Sequence, residues 1–259
     1  MDEVCIKRAA QMILEAVQVV ALTGAGISVE SGIPDFRSPG GLWTKYDPLL
    51  YGPYEAFVNH PERFWEMAKE LNPLLENAEP NPAHIALAEL ERLGKCRAVI
   101  TQNIDHLHQR AGSTDVLELH GTHRSGHCTS CSRVFTLEEM KELSCGGDQV
   151  ACCPHDQTSI KPDVVFFGEP LDSRVLSRAA ELASTSDLML VVGCSLEVYP
   201  AAALRCWGLA HSGYKGPKNR PDGLAKLVDA VLAEMPVSYT PPEPTRLLSI
   251  SYAVFCLQQ

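Results

Sequence analysis

The 259-residue sequence contains no apolar run long enough to cross a bilayer, and no cationic stretch leads into an apolar one after Met1. These absences disfavour a membrane span and a secretory leader, so a soluble intracellular chain is expected. The cytoplasm comes first, with nucleus and mitochondrion left open. Positive charge is also scarce: Lys and Arg total 22 against 32 Asp and Glu, a net charge of −10. That balance argues against direct nucleic-acid binding and suits basic partners such as lysine-rich peptides. A disulfide framework is not indicated either, because the ten cysteines lie in a long chain and Cys128 and Cys131 have two residues between them. In a reducing compartment that spacing points to metal or redox chemistry. Cys5, Cys96, Cys206 and Cys256 stand singly among apolar residues and read as buried thiols.

What is present is a hydrophobic content of 45%, ample for one large α/β domain or a large and a small one. Val17 to Leu22 is a short, largely β-branched run, as expected of a strand buried on both faces of a parallel sheet. Gly24 and Gly26, with Ala25 between them, then permit close backbone approach to a diphosphate. Ser28 to Ser31 is expected to open a helix whose N–H groups face the anion. The third glycine of the dinucleotide fingerprint is missing, since Val29 stands there. The continuation, Pro34-Asp35-Phe36-Arg37, sets a carboxylate, an aromatic ring and a guanidinium just beyond the turn. A purely structural loop seldom needs all three.

Asp2 to Ala16 has helical apolar spacing, with Asp2 as its cap, and is expected beside the first strand at the sheet edge. Pro61 to Leu75 and Pro82 to Leu93 read as further helices. Arg97 to Thr101 is a second buried strand, and TQNID sits at its carboxyl end, where open α/β sheets place ligands. Gln102, Asn103 and Asp105 offer amides and a carboxylate suited to a ribose and a carboxamide. Capping of the next helix by Asn103 or Asp105 is the plainer reading, and one residue can do both. Val116 to Leu119 is a strand ending in His120-Gly121, Val164 to Phe167 another, and Leu188 to Val192 the last clear one.

Taken together, GAGISVESGIPDFR from Gly24, TQNIDHLH from Thr101, HG at His120, the Cys128–Cys131 pair, KPDVVFFGE from Lys161 and VGCSLEVYP from Val192 resemble the sirtuin family, the NAD-dependent protein lysine deacylases. The resemblance implies a Rossmann-like, doubly wound parallel sheet with a smaller helical and zinc-binding domain. A catalytic domain over 1–210 would carry small-domain insertions at about 43–80 and 122–162. It also implies that His120 is the general base, whereas His106, His108, His123 and His127 are surface or supporting residues. Asn103 and Asp105 would line a nicotinamide pocket, Gln102 the adjoining ribose, and Gly193, Cys194 and Ser195 the phosphate and ribose side. Asp35, Phe36 and Arg37 would shield the sugar from water.

By the same resemblance the substrate is an acyl-lysine protein or peptide, added as a strand between the segments around Val165 and Val198. The Val165 backbone would hold the acyl-lysine amide, with Phe167 along the lysine tunnel. The acyl oxygen attacks the anomeric carbon of the nicotinamide ribose, nicotinamide leaves, and His120 deprotonates a ribose hydroxyl. The products are free lysine, nicotinamide and O-acetyl-ADP-ribose. For the structural zinc, Cys128, Cys131 and Cys153 are three ligands, and the family's fourth cysteine falls on Asp156. His155 is entered as the fourth ligand, with Asp156, Cys152 and Cys145 as alternatives, and a lost or weakened site remains open.

After Leu204 the sequence leaves the family pattern. Ala201 to Ala210 can be a helix, Leu224 to Glu234 a closing helix, Pro236 to Pro244 a linker, and Leu247 to Leu257 a substitute strand or an unanchored apolar end. The residues from His211 to Gly223 are polar and turn-rich, with no strand before Asn219, so the family's asparagine-bearing turn for the adenosine is not evident. Two alternatives therefore stand beside deacetylation: mono-ADP-ribosyl transfer to a protein, and an impaired variant that binds partners without turnover. Acyl preference follows from another absence. Sirtuins that remove acidic acyl groups carry a Tyr-x-x-Arg pair where this chain has Ala68 and Leu71. The chain is expected to remove acetyl and not succinyl from matched lysine peptides, and comparable rates on both, measured by mass spectrometry, would contradict this.

Overall fold

The computed structural model describes residues 3–206, 213–214, 230–231 and 253–257. Helices α1 (Glu3–Glu15), α2 (Leu42–Lys45), α3 (Pro48–Tyr51), α4 (Tyr54–Asn59), α5 (Pro61–Asn77), α6 (Pro82–Arg92), α7 (Leu107–Arg110), α8 (Leu137–Leu143) and α9 (Ser173–Thr185) accompany two sheets. The larger has the order β3-β2-β1-β7-β9-β8, from β1 (Val19–Thr23), β2 (Ala98–Thr101), β3 (Val116–Glu118), β7 (Leu188–Val192), β8 (Gly213–Tyr214) and β9 (Ala253–Leu257). Strands β4 (Gly121–Cys128), β5 (Val134–Thr136) and β6 (Ile160–Val164) form a separate antiparallel sheet in the order β5-β4-β6.

Every residue of β1 and β7 is buried, and their side chains divide by the period of two that a strand imposes. Val19, Ala21, Leu188, Leu190 and Val192 pack with Ala9, Ala10 and Ile13 of α1 and with Leu87 and Leu90 of α6. Val20, Leu22, Met189 and Val191 face the opposite side, against Ala179 and Ala183 of α9 and Ala201 and Leu204. Helices thus cover both faces, the arrangement that continuous apolar strands require. Helix α1 lies on a face of the sheet and not at its edge as the sequence suggested, because its stripe meets alternate residues of both β1 and β7. Its expected cap, Asp2, lies outside the described residues.

β1 runs parallel to β2 on one side and to β7 on the other. The chain leaves β1 in one direction and later returns on its other flank, so a crevice opens beyond the carboxyl ends of β1 and β7. The turn after β1 fills the floor of that crevice. Gly24 N–H donates to Val192 C=O at 3.1 Å and Gly26 N–H to Gly193 C=O at 2.9 Å. The expected helix from Ser28 is instead a pair of 3₁₀ turns, Ala25–Ile27 and Val29–Ser31, stopped by Gly32 at φ 89°. Bonds of the i to i+3 kind keep this segment tight, and left-handed Gly32 turns the chain away before an α-helix forms.

Beyond β7 the sheet differs from the parallel expectation. β9 pairs with β7 antiparallel, Leu188 opposite Leu257 and Val192 opposite Ala253, and β8 pairs with β9. Ala253–Leu257 of the terminal apolar run is therefore a strand between β7 and β8, and 247–252 lie outside the described residues. Of the expected helix Ala201 to Ala210, residues Ala201–Cys206 are 3₁₀ and 207–210 lie outside the described residues. Of the expected closing helix only Ala230 and Val231 are described, and both are helical. The linker and Asn219 lie outside the description.

Gly193 is tightly constrained where the two turns meet: at φ +60° a Cβ would meet Ile27 N at 2.1 Å and Gly26 C at 2.5 Å. Gly193→Ala must strain the left-handed backbone, at a cost of about 1–2 kcal/mol, and also push the first turn out of the crevice. A lowered melting temperature is expected, and melting equal to the parent protein would contradict this packing.

Candidate functional site

Four segments converge on the crevice: Gly24–Arg37, Gln102–Asp105, His120 and Gly193–Val198. Beneath them runs a buried polar chain. Ser28 Oγ donates to Asp105 Oδ2 at 2.6 Å and accepts from Asn103 Nδ2 at 3.0 Å. Asp105 Oδ1 accepts Leu107 N–H at 3.0 Å, so this residue both starts α7 and joins the site. Asn103 N–H reaches Thr101 Oγ1 at 3.0 Å, Thr23 Oγ1 donates to Thr101 Oγ1 at 2.8 Å, and His108 Nε2 lies 2.9 Å from Thr23 Oγ1. Buried polar groups satisfied in this way fix the orientation of Asn103 and Asp105. Both side chains are buried yet border the crevice.

His84 completes the layer. Its Nε2 is 3.4 Å from Ser28 Oγ, its Nδ1 accepts from Asn81 N–H at 3.3 Å, and its ring meets that of His108 edge-on at 4.8 Å. Burial pushes His84 down to about 4, against the opposing pull of the Asp105 charge. His108 is likewise pushed well below the ordinary histidine range, by burial first. Both rings therefore stay neutral at pH 7. Asn81 donates from Nδ2 to Ile27 C=O at 2.7 Å and to Ser31 Oγ at 3.1 Å, pinning the 3₁₀ turns from below.

Sequence reasoning missed His84, Thr23, Thr101 and Asn81 as parts of the site. The Asn81-Pro82 pair signalled a helix start, and Asn81 does cap α6 through Ala83 N–H at 2.9 Å. Its other amide end, on Ile27, joins residues far apart in the chain. Of the two roles expected for the other histidines, surface or supporting, His108 and His123 are buried.

His120 sits where β3 ends and β4 begins. Its Nδ1 is 3.0 Å from Gln102 C=O. A carbonyl can only accept, so Nδ1 carries the proton and the Nε2 lone pair is the basic one. Burial holds its imidazole below the ordinary range, against the raising effect of the Gln102 carbonyl. A neutral ring with a free Nε2 is the protonation state a general base needs at neutral pH.

The remaining expected residues sit around this centre. Gln102 Nε2 donates to Cys194 Sγ at 2.9 Å, which ties TQNID to the turn after β7. Asp35 accepts Arg37 N–H and Ser38 N–H at 3.2 and 2.8 Å, making a tight turn, and Arg37 Nε faces Glu197 at 3.6 Å across the crevice mouth. Phe36, Trp43 and Phe167 form a run of rings with centroids 5.2 and 6.3 Å apart. Ala25 is half-buried in the first turn, and Ser195 is exposed and Val198 half-buried beyond β7. Ala68 packs in the core of the smaller sheet and Leu71 beside Ile33 and Leu107.

The segment Val164 to Phe167 is not the strand the sequence suggested. β6 ends at Val164, and the next residues bond singly: Val165 N–H to His120 C=O at 2.9 Å, Phe167 N–H to Gly52 C=O at 2.9 Å, and Tyr54 N–H to Phe167 C=O at 3.0 Å. The two Phe167 bonds make an isolated bridge to Pro53 and the Val165 bond goes to His120, so residues 165–167 form no continuous ladder.

In the smaller sheet's lobe, Cys128, Cys131, Cys153 and Asp156 bring one donor atom each within 4.8 Å of one another. The Cys131 and Cys153 sulfurs are 3.8 Å apart, and Cys128 Sγ is 3.5 Å from either Asp156 oxygen. Tetrahedral Zn–S bonds of about 2.3 Å and Zn–O bonds of about 2.0 Å give S–S edges near ~3.8 Å and S–O edges near ~3.5 Å. Burial opposes the Cys128 thiolate, but the N–H groups of Cys131 and Ser130 on its sulfur bring the thiol below its usual range. The Thr158 N–H, foremost, draws the Asp156 carboxyl down to about 2. The donor set therefore fits a structural zinc.

His155, entered as the fourth ligand from the sequence, is exposed and lies outside this cluster. Cys152 is held in a bridge to Ser159, and Cys145 is exposed at φ 51°, so neither joins the cluster. Adjacency in sequence could not tell which side chain turns inward. Thr158 N–H on Asp156 Oδ1, at 3.0 Å, makes that choice.

A glycine-floored crevice at the switch point of a doubly wound sheet, with a cysteine-rich lobe beside it, defines a nucleotide-binding α/β protein of the Rossmann-like kind. Residues 24–200 match the Sir2 family, and the chain belongs to it. The chain is 49% identical over 199 residues to an NAD-dependent protein deacylase of Archaeoglobus fulgidus, covering 77% of this chain and 78% of that protein. It is similar to a solved Sir2 complex with a p53 peptide and NAD+, at 43% identity and TM-score 0.72, covering 79% and 84% of the two chains. A Sir2 variant with deacetylated p53 peptide and 3′-O-acetyl ADP-ribose matches at 44% identity and TM-score 0.74, covering 78% and 81%.

Replacing Asp156 by alanine is expected to lower bound zinc below one ion per chain, measured by elemental mass spectrometry, whereas His155→Ala retains it. Loss of zinc in the His155 variant alone would contradict the assignment.

Proposed function

We propose that this chain is an NAD-dependent protein lysine deacetylase in which His120 is the general base. The observation that carries the reading is the His120 tautomer: Nδ1 is committed to Gln102 C=O at 3.0 Å, so Nε2 is the proton acceptor at the crevice. The relatives that match over three quarters of the chain bear deacylase and deacetylase names, and solved relatives hold peptide with NAD+ or with acetyl ADP-ribose. Neither mono-ADP-ribosyl transfer nor a silent binding protein has a comparable observation behind it.

The residues divide the work by position. The backbone of Gly24, Ala25 and Gly26, with Gly193, Cys194 and Ser195, holds the diphosphate and adjoining ribose, because only glycine leaves that floor open. Asn103 and Asp105, fixed through Ser28, hold the carboxamide side, and Gln102 the nearby ribose. Bound NAD supplies an anomeric carbon from which nicotinamide can leave. His120 Nε2 takes the proton of a ribose hydroxyl. The turn around Asp35, with Phe36 and Arg37, covers the sugar and excludes water, which would otherwise compete with the acyl oxygen. The Val165 backbone receives the acyl-lysine amide, with Phe167 and Val198 beside it. The zinc on Cys128, Cys131, Cys153 and Asp156 braces the smaller lobe and takes no part in the chemistry.

His120→Ala removes the base while leaving the crevice floor intact. A fall of about 10²–10⁴-fold in O-acetyl-ADP-ribose formation from NAD and an acetyl-lysine peptide is expected, followed by mass spectrometry. Undiminished product from the variant would overturn the assignment.

A further inference from the structure

Lys161 is a lysine of β6 buried to 5% exposure, and none of the chemistry above uses it. Its ammonium has three donors and three oxygen partners: Pro162 C=O at 3.1 Å, Val164 C=O at 2.9 Å and Glu169 Oε2 at 3.2 Å. The Phe166 ring lies 5.1 Å from Nζ. Glu169 Oε2 also accepts the Phe166 N–H at 2.8 Å, and Glu169 N–H returns to Phe166 C=O at 3.1 Å. One cation thus gathers both ends of the segment 162–169, and Gly168 at φ 90° makes the turn possible.

This closure has a consequence for the free groups of the loop. The carbonyls of Pro162 and Val164 turn inward to Lys161, Phe166 is spent on Glu169, and Phe167 is spent on Gly52 and Tyr54. Val165 N–H is committed to His120 C=O. Among the described residues, no donor meets the Val165 C=O. Inward carbonyls on one side of Val165 and an inward N–H on the other leave its own carbonyl as the one outward acceptor of residues 164–167. The same tether through Val165 N–H sets that carbonyl in register with the residue that bears the base.

We propose that Lys161, with Glu169, is a positioning residue for the acyl-lysine substrate: by gathering the Pro162 and Val164 carbonyls it aims the Val165 carbonyl at the substrate amide. This rests on the deacetylase reading. Lys161 touches no substrate, so its effect falls on peptide binding. The cofactor site, built on the other side of His120 from Gly24–Arg37 and Gln102–Asp105, does not depend on it.

The test is steady-state kinetics of the full chain with NAD and an acetyl-lysine peptide. Lys161→Met leaves Glu169 half-buried and unpaired, so it is paired with the double variant Lys161→Met/Glu169→Gln, which removes both charges together. The double variant is expected to raise the peptide KM by about tenfold, the effect of one lost hydrogen bond, while the NAD KM stays within about twofold. Lys161→Arg should recover most of the peptide KM. A general loosening of the fold would move both KM values or lower kcat, and that pattern overturns the proposal. So does a peptide KM equal to the parent's, or a double variant that fails to fold, since the pair would then be a brace alone. Failure of the parent protein to turn over the peptide would count against the deacetylase reading and is seen before any variant is made.

Discussion

The backbone of Gly26 lies against the backbone of Gly193, N to O at 2.9 Å, with no room for a side chain between them. This contact joins the turn after β1 to the turn after β7 at the point where the sheet changes direction. The crevice exists because these two turns touch at their roots and diverge above. The 3₁₀ segment that follows is short because Gly32 ends it, and Asn81 pins it by two hydrogen bonds from the start of α6. Ser28 is thereby held inward, and through it Asn103 and Asp105 are held at the rim.

Under the crevice the protein keeps a continuous polar layer in a place where isolated polar groups would be costly. His84, Ser28, Asp105, Asn103, Thr101, Thr23 and His108 Nε2 bond to one another, and burial keeps both rings neutral. His120 follows the same physics at the crevice itself: its backbone-bonded Nδ1 fixes the tautomer and its burial keeps Nε2 unprotonated. The Lys161 and Glu169 pair repeats the idea beyond His120, where a buried cation gathers the Pro162 and Val164 carbonyls. Rigid polar supports on both flanks leave His120 little freedom to turn.

The two-faced strands β1, β2 and β7 were legible in the sequence because continuous apolar runs admit one solution, a sheet covered on both sides. Helices α5 and α6 were legible from their proline starts. β6 was not, because the apolar run Val164 to Phe167 reads as the strand, whereas the strand itself, Ile160–Val164, carries Lys161, Pro162 and Asp163. Burial of Lys161 by its own carbonyls reverses that order. The helix expected at Ser28 failed for a local reason, the left-handed Gly32, and the fourth zinc donor failed for a side-chain reason, the Thr158 contact that turns Asp156 inward. Of the residues carried by motif, His120 contacts the Gln102 carbonyl, and Asn103 and Asp105 are joined through Ser28. Their supports, His84, Asn81 and the two threonines, act through hydrogen bonds between distant segments, which no local pattern announces.

The account turns on a neutral His120 whose proton rests on Nδ1, and ¹⁵N NMR of its imidazole across a pH titration tests this most directly. Nitrogen shifts of the Nδ1–H tautomer, with titration centred below about 6.5, are predicted from burial and the Gln102 contact. An Nε2–H tautomer at neutral pH, or a ring that remains protonated above pH ~7, would contradict it.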